Sequence, residues 1–541
     1  MLNSTNFMRI GGLASGMDTE SMVKQLMKAE RLKMDRWTQK KTYGTWQQEA
    51  YREINKTLAN YMLESRKKMG LDVDYFGNVK PDAKDRMTWL KQAASSNEQA
   101  FSVQASAGAM TGDFQLRIEQ VATSASVSSS SDTGYTQTTR ISEVMGISES
   151  DSAVISINGK SIELKGSDNL RDAARKIRQE TGIYTNFDSG SKRMFLNTAK
   201  TGSEAKIEWG ADAETARFLS ELKLGSGDTV TGQNARIQIN GGAAIEYQSN
   251  HIEVNGLSIT LKAKTSSVEN IHVSLDVDGA YKKVKEWVDD YNRLIDSLSQ
   301  KLNEKQYKDY QPLTPEQKEA LKENDIKLWE EKAKSGLLAK DRILSQMLQQ
   351  MRAGVYEKVE GGAAGYDIGI TTGNYKDGGK LKVDENRFKK ALQEEPEKVM
   401  QTLFGASEIS KKEIEKNDTP QVRAEKLASN KRRHMENGIF VRAFEHMTEG
   451  MEKIVVKAGP GNESALLRNV KGTILQKYAT SFGSRNEIDQ SLTEIGKRID
   501  NENRRLSFLE SKYWKQFSEM EKALQQMQSQ SGWLAQQFGG K

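Results

Sequence analysis

The sequence predicts an α+β multidomain protein: terminal helices pairing as a coiled coil, a helical domain, and two nested antiparallel β-rich domains inserted between helical segments. Three observations predict it. No proline precedes Pro81 and none follows Pro460, so both ends are free to form long uninterrupted helices. Apolar residues near the C-terminus recur every seven positions without a break. Between about residues 96 and 278 the apolar period switches to two.

The N-terminal segment is helix-prone from Asp18 to Met69. Asp18 is a good N-cap, and Val23, Leu26 and Met27 follow on one face that Met34 and Trp37 continue. A second stripe runs Trp46, Ala50, Ile54, Leu58, Tyr61, and Gly44 between the two is read as a bend. At the other end Leu492, Ile499, Leu506, Tyr513, Met520, Met527 and Leu534 stand seven apart. A sustained seven-residue repeat is a narrow apolar seam seeking partner helices, the signature of a coiled coil on the order of 60–70 Å long. Companion positions Ile488, Ile495, Leu509 and Ala523 suit such a seam, whereas Glu502 and Gln516 are polar and point to imperfect packing or a specified register.

In the middle of the chain Phe101, Val103 and Ala105 alternate, as do Phe114, Leu116 and Ile118, Ile237 and Ile239, and Ile252 through Val277. Asn158-Gly159 and Asn255-Gly256 punctuate them as hairpin turns. Leu170, Ala173, Ala174 and Ile177 add a helix, giving a strand–strand–helix–strand unit, and the Ser/Thr-rich stretch 123–140 reads as a flexible connection. Helical pattern returns at Tyr281. Thr314-Pro315-Glu316-Gln317 is a capping box launching a helix expected to end near Gly336. Residues 337–480 read as mostly helical, with Gly-rich breaks at 361–365 and 373–379. The domains expected are terminal legs at 1–45 and 488–541, a helical domain at 46–95 and 280–487, a first β-rich domain at 96–125 and 230–279, a second at 140–229, and a linker at 126–139.

Length and composition narrow the function. With 541 residues and 36% hydrophobic content, the chain is long enough for several cores. Its 80 basic and 74 acidic side chains leave a net charge of +6, too even for a nucleic-acid partner, and Lys431-Arg432-Arg433 reads as a solvated helix face. There is no cysteine, hence no disulfide, thiolate metal site or cysteine nucleophile. No stretch approaches the roughly 18–20 apolar residues of a membrane span, so membrane insertion is not expected. The first twenty residues contain Gly11, Gly12, Ser15 and Gly16 and no apolar run, so a cleavable secretory signal is not expected either.

Catalytic constellations fail one by one. His251, His272, His434 and His446 have no metal-ligand spacing, and His272 is expected to point to solvent from its strand. Aligning Asp276-Val277-Asp278-Gly279 with a calcium loop puts Lys285 where a bidentate glutamate belongs. Gly11-Gly12 with Gly16 lacks the Lys-Ser/Thr ending of a phosphate loop. No catalytic, cofactor or metal residue is expected. The candidate functional residues are those of an assembly seam: Val23, Leu26, Met27, Met34, Trp37, Leu492, Ile499, Leu506, Tyr513, Met520, Met527 and Leu534.

Several motifs in order carry a family resemblance. Ile10-Gly11-Gly12-Leu13-Ala14-Ser15-Gly16-Met17-Asp18-Thr19 with Met22-Val23 and Leu26-Met27 resembles the opening of the bacterial flagellar filament cap proteins, the hook-associated protein 2 family. A second signature is Asn255-Gly256-Leu257-Ser258-Ile259-Thr260-Leu261-Lys262, leading into Trp287-Val288 and Tyr291-Asn292. Residues 153–202, with Ile157-Asn158-Gly159-Lys160, resemble the β-unit repeated in flagellin and hook-associated proteins, although Ile177-Arg178 departs from its usual isoleucine–asparagine. Gln311-Pro312-Leu313-Thr314 through Leu337-Leu338 is similar to the long, Gram-positive-type members, and Tyr513-Trp514-Lys515-Gln516-Phe517 to the family's final coiled coil. Residues 405–485 match least.

The resemblance implies a self-associated ring, a pentamer being the leading expectation, at the distal end of the filament. Its subunits would guide incoming flagellin into place and prevent its loss. It also implies filament-junction hook-associated proteins as partners, passage through the flagellar type III export apparatus with an export chaperone, and a secreted, extracellular location. Two other readings stand beside it: a surface adhesin using the exposed β domains, and a cytosolic coiled-coil scaffold.

Overall fold

The computed structural model describes residues 18–74, 78–373, 378–460 and 486–538. The chain forms two compact units, one of residues 1–81 with 284–541 and one of residues 82–283. The opening motif from Ile10 to Met17 lies outside the described residues.

Helix α1 (Thr19–Met69) opens the first unit as expected, with the Asp18 side chain accepting from the backbone N–H of Ser21 at 2.9 Å. It runs unbroken through Gly44. It is one helix of 51 residues through the boundary expected at residue 45, closed by Gly70 in the left-handed conformation.

The second unit has two cores. Strands β1 (Lys91–Ser95), β2 (Phe101–Ala105) and β3 (Gly112–Gln120) begin the first, and the chain then leaves it. The inserted second core contains β4 (Ser124–Ser128), α2 (Ile141–Met145), β5 (Ser152–Ile157), β6 (Lys160–Lys165), α3 (Leu170–Thr181), β7 (Tyr184–Asp188), β8 (Arg193–Thr201), β9 (Lys206–Ile207), α4 (Ala213–Glu221) and β10 (Val230–Thr231). The chain returns through β11 (Ala235–Ile239), β12 (Ile245–Tyr247), β13 (His251–Val254), β14 (Leu257–Leu261) and β15 (Glu269–Leu275). The sheets β1-β15-β3-β11-β12 and β13-β14-β2 share one core of Phe101, Leu116, Ile118, Ile237, Ile259 and Ile271, all but fully buried. The inserted core gathers the β5-β6 hairpin and the β4-β8-β7 sheet around Ile155, Ile162, Leu170, Ile177 and Phe218. Both Asn-Gly turns have positive φ at both residues, the type I′ geometry that matches strand twist.

One expectation here is corrected. The stretch read as a flexible linker begins with β4, which pairs antiparallel with β8, buries Ala125 and Val127 and leaves Ser126 and Ser128 outward. Ser129 is also buried, its Oγ accepting from Met194 N–H at 2.9 Å. Tertiary pairing overrides the weak strand preference of serine.

The boundary between the units falls inside α5 (Val277–Asn303), which begins four residues before the Tyr281 expected, so Val277 starts a helix rather than ending a strand. The first unit then continues with α6 (Pro315–Glu319), α7 (Glu323–Lys334), α8 (Arg342–Tyr356), β16 (Ile370–Thr372), β17 (Leu381–Val383), α9 (Glu385–Glu394), α10 (Pro396–Phe404), α11 (Pro420–Glu436), α12 (Ile439–Ala458) and α13 (Glu487–Phe538). Thr314 and Gln317 form the reciprocal capping box read from sequence. The helix it launches stops at Glu319, however, and α7 starts separately.

The core of this unit is centred on α12. Phe440 meets Trp287 at 4.8 Å, Phe444 at 4.5 Å and Phe404 at 5.3 Å between ring centres. Beside them Arg442 is fully buried and none of its donors is wasted. Its Nε donates to His434 O (2.9 Å), Nη1 to Gly354 O and Glu357 O (3.1 and 2.7 Å), and Nη2 to Lys358 O and Met435 O (3.1 and 3.2 Å). These carbonyls lie at the C-terminal ends of α8 and α11, where helix carbonyls lack intrahelical partners and the dipole is negative. One guanidinium therefore caps two helices. Lysine, with three donors in a different shape, cannot reproduce the fork. Arg442→Met should destabilise this unit by about 3 kcal/mol or more, through carbonyls left buried and unpaired. Arg442→Lys should recover part of that. Denaturant unfolding followed by fluorescence, with Trp287 packed against Phe440, is the measurement.

Candidate functional site

Helices α1 and α13 are 51 and 52 residues long. At a rise of roughly 1.5 Å per residue each spans about 77 Å. They pair antiparallel, and the contacts define one register: Gln48 Nε2 donates to Asp489 Oδ1 at 2.6 Å, Gly44 meets Leu492, the Arg498 guanidinium lies 4.7 Å from the Trp37 ring centre, Lys33 pairs with Glu502 at 3.4 Å, and Arg505 with Glu30 at 2.8 Å. Gly44 faces Leu492 across this pairing. A Cβ there would come within 2.9 Å of Leu492 Cδ2, so the glycine read as a bend is a point of close helix approach.

Beyond that crossing, Val23, Met27 and Leu506 form a buried cluster with Met34, Leu509, Tyr513, Trp514 and Phe517 packed against it. Leu492, Ile499, Trp37 and Met520 are half-buried. Leu26 turns outward beside Met22, so it does not join the cluster. The seven-residue seam then outruns the described part of α1. Continued at the same step, the register places Thr19 opposite Gln516. Met527 and Leu534 are 58% and 45% exposed, next to Trp533 at 59% and Phe538 at 83%. Of the twelve seam residues, the structure thus gathers Val23, Met27, Met34, Leu506 and Tyr513 in one cluster. It leaves Leu26, Met527 and Leu534 open to solvent.

The exposed stretch has a second property. From Ala523 to Phe538 no side chain is charged, in a chain where 28% of residues are. Exposed surface of this kind, apolar on one side and amide- or hydroxyl-bearing elsewhere, is suited to burial without the cost of desolvating charge. Heptad counting overlooks it, because it finds Met527 and Leu534 and ignores the positions between. A scan for charge-free windows finds it.

Glu502 is the polar member of the seam that packs inside it. Only 8% of its side chain is exposed, and it is held by Arg505 Nε at 2.8 Å and by Lys33. Burial pushes its carboxyl up, but the hydrogen bonds and charges of Arg505 and Lys33 outweigh burial, and the net displacement is below the usual glutamate range. This ion pair also marks the register. A one-turn slip toward the start of α1 would set Glu30 against Glu502, like charge on like.

The sign of the pH effect follows. A carboxyl held below its unfolded value stabilises the pairing fully above that value, about 4.5, and the stabilisation is lost as pH falls below it. Helix pairing at Glu502 should therefore loosen on acidification below about pH 4.5, seen as faster amide exchange in residues 499–509. Glu502→Gln should weaken the pairing by about 1 kcal/mol at neutral pH, its cationic partners being well exposed, and should flatten the acid-dependent step.

Comparison with known proteins gives this geometry a context. The description "Flagellar hook-associated protein 2 N-terminus" matches residues 15–125, and "Flagellar hook-associated protein 2 C-terminus" matches residues 232–529. The flagellar hook-associated protein 2 of Halalkalibacterium halodurans is 32% identical over 574 aligned residues, covering 98% of this chain and all of its own. That of Thermotoga maritima is 26% identical over 402 residues, covering 72% of this chain and 55% of its own. The crystal structure of the flagellar cap protein domains D1-D2-D3 from Escherichia coli is 19% identical, covers 74% of this chain and 95% of that one, and has a TM-score of 0.46. Matched by both terminal descriptions, and along nearly its whole length by a relative of the same name, the chain belongs to the flagellar hook-associated protein 2 family.

Proposed function

We propose that this protein caps the distal end of the bacterial flagellar filament as a ring of identical subunits, and that the α1–α13 pair is the leg by which each subunit seats on the filament. The role is structural. The observation that carries it is the seam that outlasts its partner: α13 continues its apolar stripe through Met527 and Leu534 with no α1 residue among those described to cover it. A fully buried Leu- or Met-sized side chain is stabilised by roughly 1.5–3 kcal/mol, so helices offered by neighbouring filament subunits would gain substantially by covering this stretch. Until then the pairing is held near its free end by one small cluster around Leu506 and two partly exposed ion pairs, so the legs settle weakly. Weakly settled legs let a ring step as each flagellin subunit adds beneath it.

Flagellin is the proposed partner on each step, and filament-junction hook-associated proteins are the surface first met. Delivery through the flagellar type III export apparatus, with an export chaperone shielding the open seam, would bring the protein to its extracellular site. A pentameric ring is the stoichiometry proposed.

Leu506 is the position that discriminates. Leu506→Asp places a carboxylate in the apolar cluster of Val23 and Met27, a change costing about 3–5 kcal/mol locally. Cells carrying it should release monomeric flagellin into the medium and build no filaments, while the purified variant keeps the β-sheet circular dichroism of the second unit. Filaments of normal length would overturn the proposal.

A further inference from the structure

Between α5 and α8 the chain leaves one point and returns to it. Ser335 Oγ donates to Lys305 O at 2.7 Å, Gly336 N–H to Glu304 Oε2 at 3.0 Å, and Lys340 N–H to Leu302 O at 2.9 Å. Gly336 sits so close to Gln306 that a Cβ on it would come within 2.9 Å of the Gln306 Cα. The excursion between these ends is folded. Trp329 packs against Tyr310 with tilted rings 4.7 Å apart and donates Nε1–H to Gln311 O at 2.8 Å, and Lys332 lies 4.7 Å from the Tyr310 ring centre. Lys318 joins α6 to Glu330 of α7 at 2.5 Å, and Leu313 and Ala333 are buried. Closed ends and internal packing make this a compact strap rather than a loose loop.

What the strap grips is α1. Glu316 of α6 pairs with Arg31 at 2.5 Å, and Lys334 at the end of α7 lies 4.8 Å from the ring centre of Trp46. Asp35, one turn from Arg31, has its carboxyl pushed up by burial and then by the charge of Glu316, which places the strap beside this face of the helix. Just past the strap, Gln47 Nε2 donates to Leu337 O at 3.3 Å and Tyr51 OH to Asp341 Oδ2 at 2.5 Å. The part of α1 held by the strap and the turn after it thus runs from Arg31 to Tyr51. N-terminal to Arg31, the contacts named above are all with α13.

We propose that the strap, residues 307–335, is a brace that sets where the leg begins to move. It holds α1 from Arg31 to Trp46 against the helical unit, so that in the free subunit the pivot lies at Arg31, and the segment beyond it moves with its α13 partner. The inference rests on the reading of α1–α13 as a seating leg, because it concerns how much of that leg is free. The outer grip is an ion pair between half-exposed side chains, so added salt loosens it before the inner contacts.

Hydrogen exchange on the full-length monomer tests this without reference to filaments, so its outcome is separate from that of the capping proposal. In the wild-type protein residues 19–30 should exchange at least about tenfold faster than residues 32–46. Deleting residues 307–335 and joining Gln306 to Gly336, whose positions already touch, should raise exchange in residues 32–46 by about tenfold and leave α8 and α12 unchanged. Glu316→Lys should accelerate only the stretch around Arg31, high salt should reproduce that effect, and Arg31→Glu with Glu316→Arg should reverse it. Unchanged exchange in residues 32–46 after the deletion would overturn the brace. So would loosening of α8 and α12 together with α1, which would make the strap an ordinary part of the core.

Discussion

A helix cannot bury its own apolar stripe, and everything distinctive in this chain follows from two very long helices having to cover each other. Their lengths are nearly equal, but their offset register means that they do not cover each other completely. The antiparallel pairing comes close where Gly44 faces Leu492, is half-buried where Arg498 lies over Trp37, and closes again in the buried cluster around Leu506. Beyond that, α13 runs on with apolar side chains in solvent and no charged residue to keep them there. Burial therefore ends with that cluster, and local burial is what decides which parts of a protein can reorganise when a partner arrives.

The rest of the first unit supplies the fixed end of the leg. Arg442 ties the C-termini of α8 and α11 to α12 through five carbonyls, and the aromatic group around Phe440 packs beside it. Direct contacts tie the inner part of α1 to that core: Arg52 Nε donates to Ala458 O at 3.2 Å, and Tyr61 meets Phe444 edge-on at 6.3 Å. The ion pairs of Glu502 add register rather than much energy, as expected where the cationic partners are well exposed.

Much of the fold was legible because local chemistry and tertiary structure agree. The heptad gave α13, the Asn-Gly pairs gave both type I′ hairpins, and Asp18 and the Thr314 box gave two helix starts. The misreadings are places where a residue answers to a distant neighbour. Gly44 looks like a bend until Leu492 is seen to lie against it. Ser124 to Ser128 look like a linker until β8 pairs with them. The helix from Pro315 stops early because the strap folds back on Tyr310 and Trp329, far outside its own window. Of the seam, sequence periodicity located the stripe, but it could not say where α1 would end against it. Exposure at Met527 and burial at Leu506 are indistinguishable at the level of the repeat.

The absence of native cysteine makes the most direct test clean, because any introduced thiol is unique. Alkylation rates can be compared for Leu506→Cys and Met527→Cys, each in the free subunit and again when seated on filaments. The thiol at position 506 should react slowly in both states, and the thiol at position 527 should react fast in the free subunit and at least about tenfold slower on filaments. Equal, rapid labelling at position 527 in both states would contradict the account, since the open end of the seam would then have no occupant.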